Sequence, residues 1–375
     1  MRAELTVVQL LPALDGGGVE RGTLEVAGEL VREGCRSIVI ADGGRLLPEL
    51  LATGSEHLGW PLGRKSLASL RWIAPLRRFL AEQQVDIVHA RSRLPAWLAW
   101  RALRGMPDDI RPHFITTVHG LYSVNGYSAV MTKGDRVIAV SRHAREYLLA
   151  NYPDAGPDRI CVIPRGIDPA SYPSGYRPDK TWLTNWYQQY PQTRDRFLVC
   201  LPGRLTRSKG VLEFIDAIAR LKSMHIPVHG LLVGDYPAGR WRRSRRQVRS
   251  ALQAAGVTDS ISITGFRPDL REIMAISDVM LSLSLQPESH GRTVSEALAL
   301  GRPVAGYAHG GVGEQLAELF PDGAITPGDR SAMAQRLAEW FRQPPPVAGI
   351  EPWPLRRTLA DTLKLYRELV ASEPL

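Results

Sequence analysis

Short apolar runs alternate with amphipathic segments along most of the chain. Leu5–Leu10 is apolar and predicts a strand, whereas Val19–Glu33 has the apolar spacing of a helix. Gly34 then supplies a helix stop before the next apolar run, Ser37–Ala41. This alternation predicts an α/β fold in which parallel sheets carry helices on both faces. Further strand candidates are Val85–Ala90, Phe114–Val118, Arg136–Val140, Cys161–Ile163, Phe197–Leu201, Val228–Val233, Ile261–Thr264, Asp278–Leu283 and Pro303–Tyr307.

The alternation breaks once, between Pro169 and Asp195, where turn formers precede a cluster of Trp and Tyr. This break predicts an interdomain connection with an aromatic helix beside it. The tail is again helical, with one apolar face formed by Leu359, Leu363, Tyr366 and Val370. We therefore predict an N-terminal Rossmann-like domain, a connection, a C-terminal Rossmann-like domain and a final helix that packs back on the N-terminal domain. The corresponding residues are 1–170, 171–195, 196–350 and 351–375.

The chain has 375 residues and a formal net charge of +9. This length exceeds what one hydrophobic core usually supports, which agrees with two domains. The positive excess favours an anionic partner: nucleic acid, a phosphorylated glycan or an anionic membrane surface. The three cysteines are widely spaced in or near apolar runs, so we expect buried thiols and no zinc site. We see neither a signal-peptide core nor a stretch of transmembrane length, which predicts a cytoplasmic location.

Two loops between a strand and a helix could bind an anion. Gly16, Gly17 and Gly18 let a ligand approach the backbone at a helix N-terminus, although a tight turn would need the same residues. In the second half, Arg204 and Lys209 follow a strand and precede a helix. Arginine can fork two phosphate oxygens and lysine adds a compact charge, so we expect a diphosphate there rather than a solvated basic loop.

A pair of carboxylates, Glu288 and Glu296, brackets a Gly291-Arg292-Thr293 turn. Such a strand–loop–helix unit directs backbone N–H groups and the positive helix end at an anion, while the carboxylates can accept from hydroxyls. Hydroxyl acceptors beside phosphate donors indicate a nucleotide sugar. The alternative is two surface carboxylates, one of them paired with Arg292.

Histidines also follow predicted strands. His119 ends a strand of the first half, where side chains point toward the crevice in which ligands bind in open α/β sheets, although a buried structural histidine is the commoner case. His89 poses the same choice. His309 opens a glycine-rich junction that could approach a donor sugar or could be only a loop.

Two basic stretches leave further choices open. Gly239–Arg249 holds six arginines and one tryptophan, and we interpret it as a solvated helix face, with nucleic-acid binding as the alternative. Arg64–Leu80 is basic and amphipathic and could touch an anionic membrane, or it could be an ordinary helix packed on its sheet.

Together these motifs resemble the retaining glycosyltransferases of family 4, which have the GT-B fold. The resemblance covers nearly the whole chain, and several motifs together are far more specific than any one. His89–Trp97 resembles the branch that builds bacterial lipopolysaccharide core. The motifs that carry the resemblance are Gly16–Gly18, His119-Gly120, Ile163–Asp168, Gly203-Arg204 with Lys209, Val233–Asp235, Gly265-Phe266 and the Glu288/Glu296 pair.

The resemblance implies two Rossmann-like domains facing a central cleft, with the donor on the C-terminal domain and the acceptor on the N-terminal one. It implies that Glu288 contacts donor-sugar hydroxyls, that Glu296 contacts the ribose, and that Arg204 and Lys209 neutralise the diphosphate. It places His119 near the transferred sugar. The other implied donor contacts are Gly17, Gly18, Gly203, Gly265, His290, Gly291, Arg292, Thr293 and Val294. The chain departs from the family at Arg165, where Asn is usual, and at His290, where Phe is more usual.

The resulting hypothesis is a retaining glycosyltransferase that forms an α-linkage. It would move a sugar from a nucleotide sugar, with a UDP-sugar as the expected donor, to lipopolysaccharide core or another lipid-linked glycan. No cofactor is expected, and no DxD metal signature is present. The partners would be the donor, the acceptor and the anionic cytoplasmic face of the inner membrane, with no nucleic acid. A nucleotide-sugar epimerase of the same fold and a basic nucleic-acid-binding protein remain as alternatives.

Overall fold

The computed structural model describes residues 5–64, 66–236, 241–347 and 353–371. It divides into two compact units, Met1–Arg165 with Leu355–Leu375 and Gly166–Pro354. The segment 171–195, predicted as the connection, belongs to the second unit. Each unit is built on its own parallel sheet, which confirms the predicted α/β class with two Rossmann-like domains.

The first unit holds a seven-stranded sheet in the order β3-β2-β1-β4-β5-β6-β7. Its paired strands are all parallel, so their carboxyl ends share one edge of the sheet. The strands are β1 Thr6–Leu10, β2 Arg36–Ala41, β3 Glu56–Gly59, β4 Ile87–Ala90, β5 His113–Val118, β6 Arg136–Ala139 and β7 Ile160–Val162.

Helices cover both faces of this sheet, as the nearly continuous burial of its strands requires. One core cluster joins the sheet to α3, α4 and α5, and a second joins it to α1 and the C-terminal helix. The helices are α1 Gly18–Arg32, α2 Leu47–Ala52, α3 Ile73–Glu82, α4 Arg93–Leu103 and α5 Arg142–Asn151.

The C-terminal helix, Leu355–Ala371, belongs to the first unit although it follows the second in sequence. Three of the four residues predicted for its apolar face, Leu359, Leu363 and Tyr366, are buried in the core. The prediction was wrong for Val370, which is 38 % exposed, while Leu369 is buried instead. Position 369 lies three residues after Tyr366, so it continues the same face.

The second unit holds a six-stranded sheet in the order β10-β9-β8-β11-β12-β13, again with parallel pairs. The chain crosses from one side of β8 to the other after β10, so β8 and β11 are neighbours. Such a reversal of strand order is where ligands bind in open α/β sheets. The strands are β8 Phe197–Pro202, β9 Val228–Val233, β10 Ile261–Gly265, β11 Val279–Ser282, β12 Val304–Tyr307 and β13 Ala324–Ile325.

The aromatic segment of the second unit forms the predicted helix, α6 Lys180–Gln189. Asp179 caps it by accepting from the Trp182 backbone N–H at 2.8 Å. Trp186 is buried, and its ring lies 5.3 Å from that of Trp182. The remaining helices are α7 Val211–Ser223, α8 Trp241–Ala254, α9 Leu270–Ile276, α10 Arg292–Ala299, α11 Gly310–Leu319, α12 Arg330–Arg342 and α13, the C-terminal helix Leu355–Ala371.

Parts of three predictions fall outside the described residues: Lys65 of the amphipathic stretch, Gly239 and Arg240 of the basic run, and both ends of 351–375. Within the described ranges, no helix combines the length and apolar character needed to cross a bilayer.

Candidate active site

Three loops meet at the carboxyl edge of the second sheet, and Asp235 joins them. Its carbonyl oxygen accepts from the Leu205 N–H at 2.9 Å, and its carboxylate accepts from the Phe266 N–H at 3.1 Å. Gly203 and Gly265 lie at the ends of β8 and β10, and both have positive φ, +127° and +72°. The backbone around these two predicted donor contacts is therefore fixed by one aspartate.

Lys209 and Glu288 come together, although 79 positions separate them. The Lys209 Nζ donates to Glu288 Oε1 at 2.8 Å. Lys209 ends a short turn after β8, and Glu288 lies in the loop after β11, the neighbouring strand. Both side chains are about one-third exposed or less. The ion pair places a cation and a hydroxyl acceptor within reach of one ligand.

Ser284 and His309 support Glu288, and we did not predict these contacts from the sequence. The Ser284 hydroxyl donates to the same oxygen, Glu288 Oε1, that receives Lys209. The His309 Nε2 donates to the Ser284 carbonyl oxygen at 2.8 Å. Lys209 and Ser284 therefore both engage Oε1, which orients the carboxylate and leaves Oε2 to accept from a ligand.

The glycines after His309 are explained by packing against the Glu288 loop. The Gly311 N–H donates to the Glu288 carbonyl oxygen at 2.6 Å. A Cβ atom at Gly310 or Gly311 would overlap the backbone of residues 288–290. At this junction the structure shows a close backbone contact that holds the acidic loop in place, and the approach of this junction to a donor sugar stays a prediction.

Gln315 holds the other end of this loop and was also missed. It is fully buried, its Nε2 donates to the His290 carbonyl oxygen, and its Oε1 accepts from the Ser295 hydroxyl at 2.6 Å. Because a peptide unit is planar and trans, fixing the His290 carbonyl also fixes the direction of the Gly291 N–H. Gly291 then starts α10 with φ +97°, a conformation that favours glycine.

Glu296 lies in α10 and pairs with Arg292 in the preceding turn. The Arg292 Nε donates to Glu296 Oε1 at 2.8 Å, and Glu296 is 7 % exposed. The alternative of two surface carboxylates is right in that one of them pairs with Arg292, but that carboxylate, Glu296, is buried, and Glu288 pairs with Lys209 instead. Pro287 and Gly291 keep residues 288–291 out of the helix, so an i,i+4 contact cannot form there.

Three more predicted donor contacts lie around this turn. Thr293 and Val294 are in the first turn of α10, and the Val294 N–H already donates to the Gly291 carbonyl oxygen at 3.0 Å. His290 is buried, with its ring centroid 5.7 Å from that of Trp353. Arg204, by contrast, is exposed in the loop after β8.

Gly17, Gly18 and His119 belong to the first unit. The Arg165 guanidinium lies against the glycine loop, where its Nη2 donates to the Gly18 carbonyl oxygen. A Cβ atom at Gly18 would sit 2.6 Å from Arg165 Nη1, and one at Gly22 would sit 3.3 Å from Nη2. Arg165, where the family usually has Asn, therefore occupies space that these glycines leave open.

His119 follows β5 directly and is half-buried. The Arg93 guanidinium lies over the nearby Tyr122 ring, 4.7 Å from its centroid. Burial raises the pKa of Tyr122, which keeps its phenol protonated at neutral pH.

His89 is a buried structural histidine rather than a ligand-facing one. Its Nδ1 lies 2.5 Å from the Tyr366 hydroxyl of α13, and its Nε2 lies 2.6 Å from the Thr117 hydroxyl. Burial, aided by the nearby Arg91 charge, holds the pKa of His89 well below its usual range. Neutral imidazole can donate from one nitrogen and accept at the other, which matches these two contacts.

Two family models match the chain: Glycosyltransferase Family 4 over residues 16–171 and Glycosyl transferases group 1 over residues 184–351. The chain belongs to the GT-B glycosyltransferases. The predicted family and fold are thereby confirmed, and the two matches correspond to the two sheets.

Relatives of this glycosyltransferase chain include the 2-deoxystreptamine glucosyltransferase of Streptomyces kanamyceticus, 31 % identical over 64 % of this chain. The match spans 58 % of that relative. A glycosyltransferase structure from Rickettsia africae has a TM-score of 0.85 and 29 % identity over 99 % of this chain and all of that one. Anabaena HepE in complex with UDP and glucose has a TM-score of 0.80 and 19 % identity, covering 97 % of this chain and all of HepE, and shares the fold.

Proposed function

We propose that this chain transfers a sugar from a nucleotide sugar, a UDP-sugar in the first instance, to a lipopolysaccharide core or other lipid-linked glycan, with retention at the anomeric carbon. The observation that carries the proposal is the Lys209–Glu288 ion pair at the carboxyl edge of β8 and β11. The pair places a cation that can bind phosphate beside a carboxylate that can accept from hydroxyls, at the point where the strand order reverses. A solved fold neighbour, HepE, binds UDP and glucose, which supports the choice of donor.

The leaving nucleoside diphosphate gains negative charge as the glycosidic bond breaks. Lys209 and the exposed Arg204 would stabilise this charge, together with the N-terminal end of α10. The leaving phosphate would accept the proton of the attacking hydroxyl on the same face of the sugar. Glu288 then acts as a positioning group, since Lys209 and Ser284 orient Oε1 while Oε2 accepts from a donor-sugar hydroxyl.

Glu296 would contact the ribose from α10, where Arg292 orients its carboxylate. On the first unit, Gly17, Gly18 and His119 stay predicted contacts for phosphate and sugar, which rest on the resemblance to the family. The lipopolysaccharide acceptor rests on the resemblance of His89–Trp97 to that branch of the family.

The donor assignment is tested by the thermal shift that UDP-, GDP- and ADP-sugars produce, followed by turnover of the stabilising donor. Lys209→Ala should lose the shift and lower kcat by on the order of 10²-fold, because the diphosphate loses a cation. Glu288→Gln should keep the nucleotide shift but lose turnover. Lys364→Ala is a matched control, because Lys364 pairs with Glu368 on α13, outside the proposed site.

Near-normal turnover in both Lys209→Ala and Glu288→Gln would rule out the assignment. Product formed without any acceptor, with the sugar inverted at one ring carbon, would instead establish an epimerase.

A further inference from the structure

Helix α8 carries an all-arginine face. Arg242, Arg245, Arg246 and Arg249 follow the i, i+3, i+4, i+7 spacing that places side chains on one side of a helix. All four are exposed, and so is the adjoining Arg243. The inward side is apolar, since Val248 and Leu252 are buried in the core of the second unit. We call the four residues the arginine face.

The arginine face places positive charges at positions where they destabilise a helix. The sequence of α8 contains no acidic residue, so no carboxylate within the helix can offset the charge. Arg242 with Arg246, and Arg245 with Arg249, form like-charge pairs at i,i+4, which destabilise a helix. Arg242 and Arg243 also place positive charge in the first turn, where the helix dipole favours negative charge.

Two other helices of the same unit pair an arginine with a carboxylate of the same helix. In α7 the Arg220 Nε lies 2.6 Å from Asp216, and in α12 the Arg336 Nε lies 3.3 Å from Glu339. Neither Arg245, Arg246 nor Arg249 enters an ion pair with an acidic residue anywhere in the described part of the chain. Where a sequence breaks a local rule without compensation, a functional surface is the expected cause.

We propose that the arginine face of α8 binds the surface of an anionic phospholipid bilayer. Each guanidinium can fork two phosphate oxygens, and four of them lie along about 10 Å of helix, from a rise of roughly 1.5 Å per residue. The exposed side chains that the structure describes over residues 242–253 of α8 are arginine, serine and glutamine, so the contact that they make is polar, with the lipid headgroups, and is screened by salt.

This surface shares no residue with the proposed donor contacts and is formed by α8 alone. Its proof or failure therefore leaves the donor assignment untouched. In a glycosyltransferase that acts on a lipid-linked glycan, it would hold the enzyme at the membrane that contains the acceptor.

The test is cosedimentation of the full chain with phosphatidylcholine vesicles and with vesicles that also contain phosphatidylglycerol, at low and at high salt. We expect binding only to the anionic vesicles, weakened by salt. R245Q/R246Q/R249Q should reduce vesicle affinity by on the order of 10²-fold, from the contribution of each basic residue near an anionic surface. R245K/R246K/R249K keeps the charge and should retain most of the binding.

The matched control is R220Q/R336Q/R342Q, which removes the same three charges from other helices of this unit and should bind vesicles like the parent. Arginine and glutamine have similar helix propensities, so the α8 glutamine variant should keep or raise its Tm. Equal loss of binding in the control variant would overturn the proposal. So would no vesicle binding by the parent, a preference for single-stranded RNA over vesicles, or a fall in Tm specific to the α8 variant.

Discussion

Glu288 and Glu296 stand eight positions apart, and each meets a cation that the other does not. Glu288 receives Lys209 from the loop after β8, and Glu296 receives Arg292 from its own helix. The first pair depends on strand order, whereas the second is a local i,i+4 contact that the sequence already contains. At the residue scale, the site therefore holds two oriented carboxylates, one paired with a cation distant in sequence and the other with a cation one helical turn away.

Gln315 gives a direct test of how strictly the acidic loop must be held. Gln315→Met keeps the volume but leaves the His290 carbonyl and the Ser295 hydroxyl without their partner, which should cost about 1–3 kcal/mol of stability. If the loop positions the donor, the KM for donor should rise more than kcat falls. Chemical denaturation and steady-state kinetics measure the two effects.

Ser295→Ala is the matched control, because it removes only the Ser295–Gln315 hydrogen bond and leaves the His290 contact in place. It should cost less stability and leave the donor KM near normal. An unchanged donor KM in Gln315→Met would show that the loop holds its shape without this clamp.

At the element scale, α13 completes the core of the first unit from the far end of the chain. Tyr366 is fully buried and reaches His89 in the middle of the sheet, and burial raises the pKa of Tyr366 to about 12. The phenol is therefore protonated at neutral pH and shares a hydrogen bond with the neutral imidazole. The helix is attached by a directional polar contact as well as by apolar packing.

Tyr366→Phe should destabilise the first unit by about 1–3 kcal/mol, because a buried imidazole nitrogen loses its hydrogen bond to the Tyr366 hydroxyl. Calorimetry can assign the affected transition if the two units unfold separately. Tyr187→Phe, on the surface of α6 in the second unit, should change stability by less than about 0.5 kcal/mol. Equal stability of both variants would contradict a structural role for the Tyr366 hydroxyl.

At the scale of the whole molecule, each unit carries a buried histidine whose pKa is lowered by burial. Burial lowers the pKa of His229 to about 4, with the nearby Arg196 charge acting in the same direction, and it holds the pKa of His89 well below its usual range. An unfolded chain protonates histidine near pH ~6.5. Below that pH the unfolded state binds protons that the folded state does not, so stability is complete above pH ~6.5 and falls as the pH drops toward about 4.

His229→Gln should flatten this dependence by removing the contribution of one titrating group, while its amide can still reach the Ser262 hydroxyl that His229 contacts at 2.9 Å. Urea unfolding at several pH values across the window measures the slope. A slope identical to that of the parent would mean that His229 is protonated without cost in the folded chain.

Much of the architecture could be predicted from the order of residues. The apolar alternation predicted two parallel sheets, and the combined motifs predicted the family, because a period of two or of 3.6 residues and a strand–loop–helix junction are local properties. The aromatic helix was predicted for the same reason. The burial of Leu369 in place of Val370 could not be predicted from the sequence. Both residues lie at the border of the apolar face of α13, and the packing of the helix on the sheet decides which of them is covered.

The contacts that shape the site required the tertiary structure. Lys209 meets Glu288 only because β11 lies beside β8, and Gln315 meets His290 only because α11 packs against the loop before α10. Likewise, Arg165 is a departure from the family in sequence, and the fold shows that it fills the space left by Gly18 and Gly22. The sequence by itself determined which residues could carry the chemistry, since charge and backbone freedom belong to single residues. The fold decided which of them meet, since proximity across tens of positions depends on strand order and helix packing.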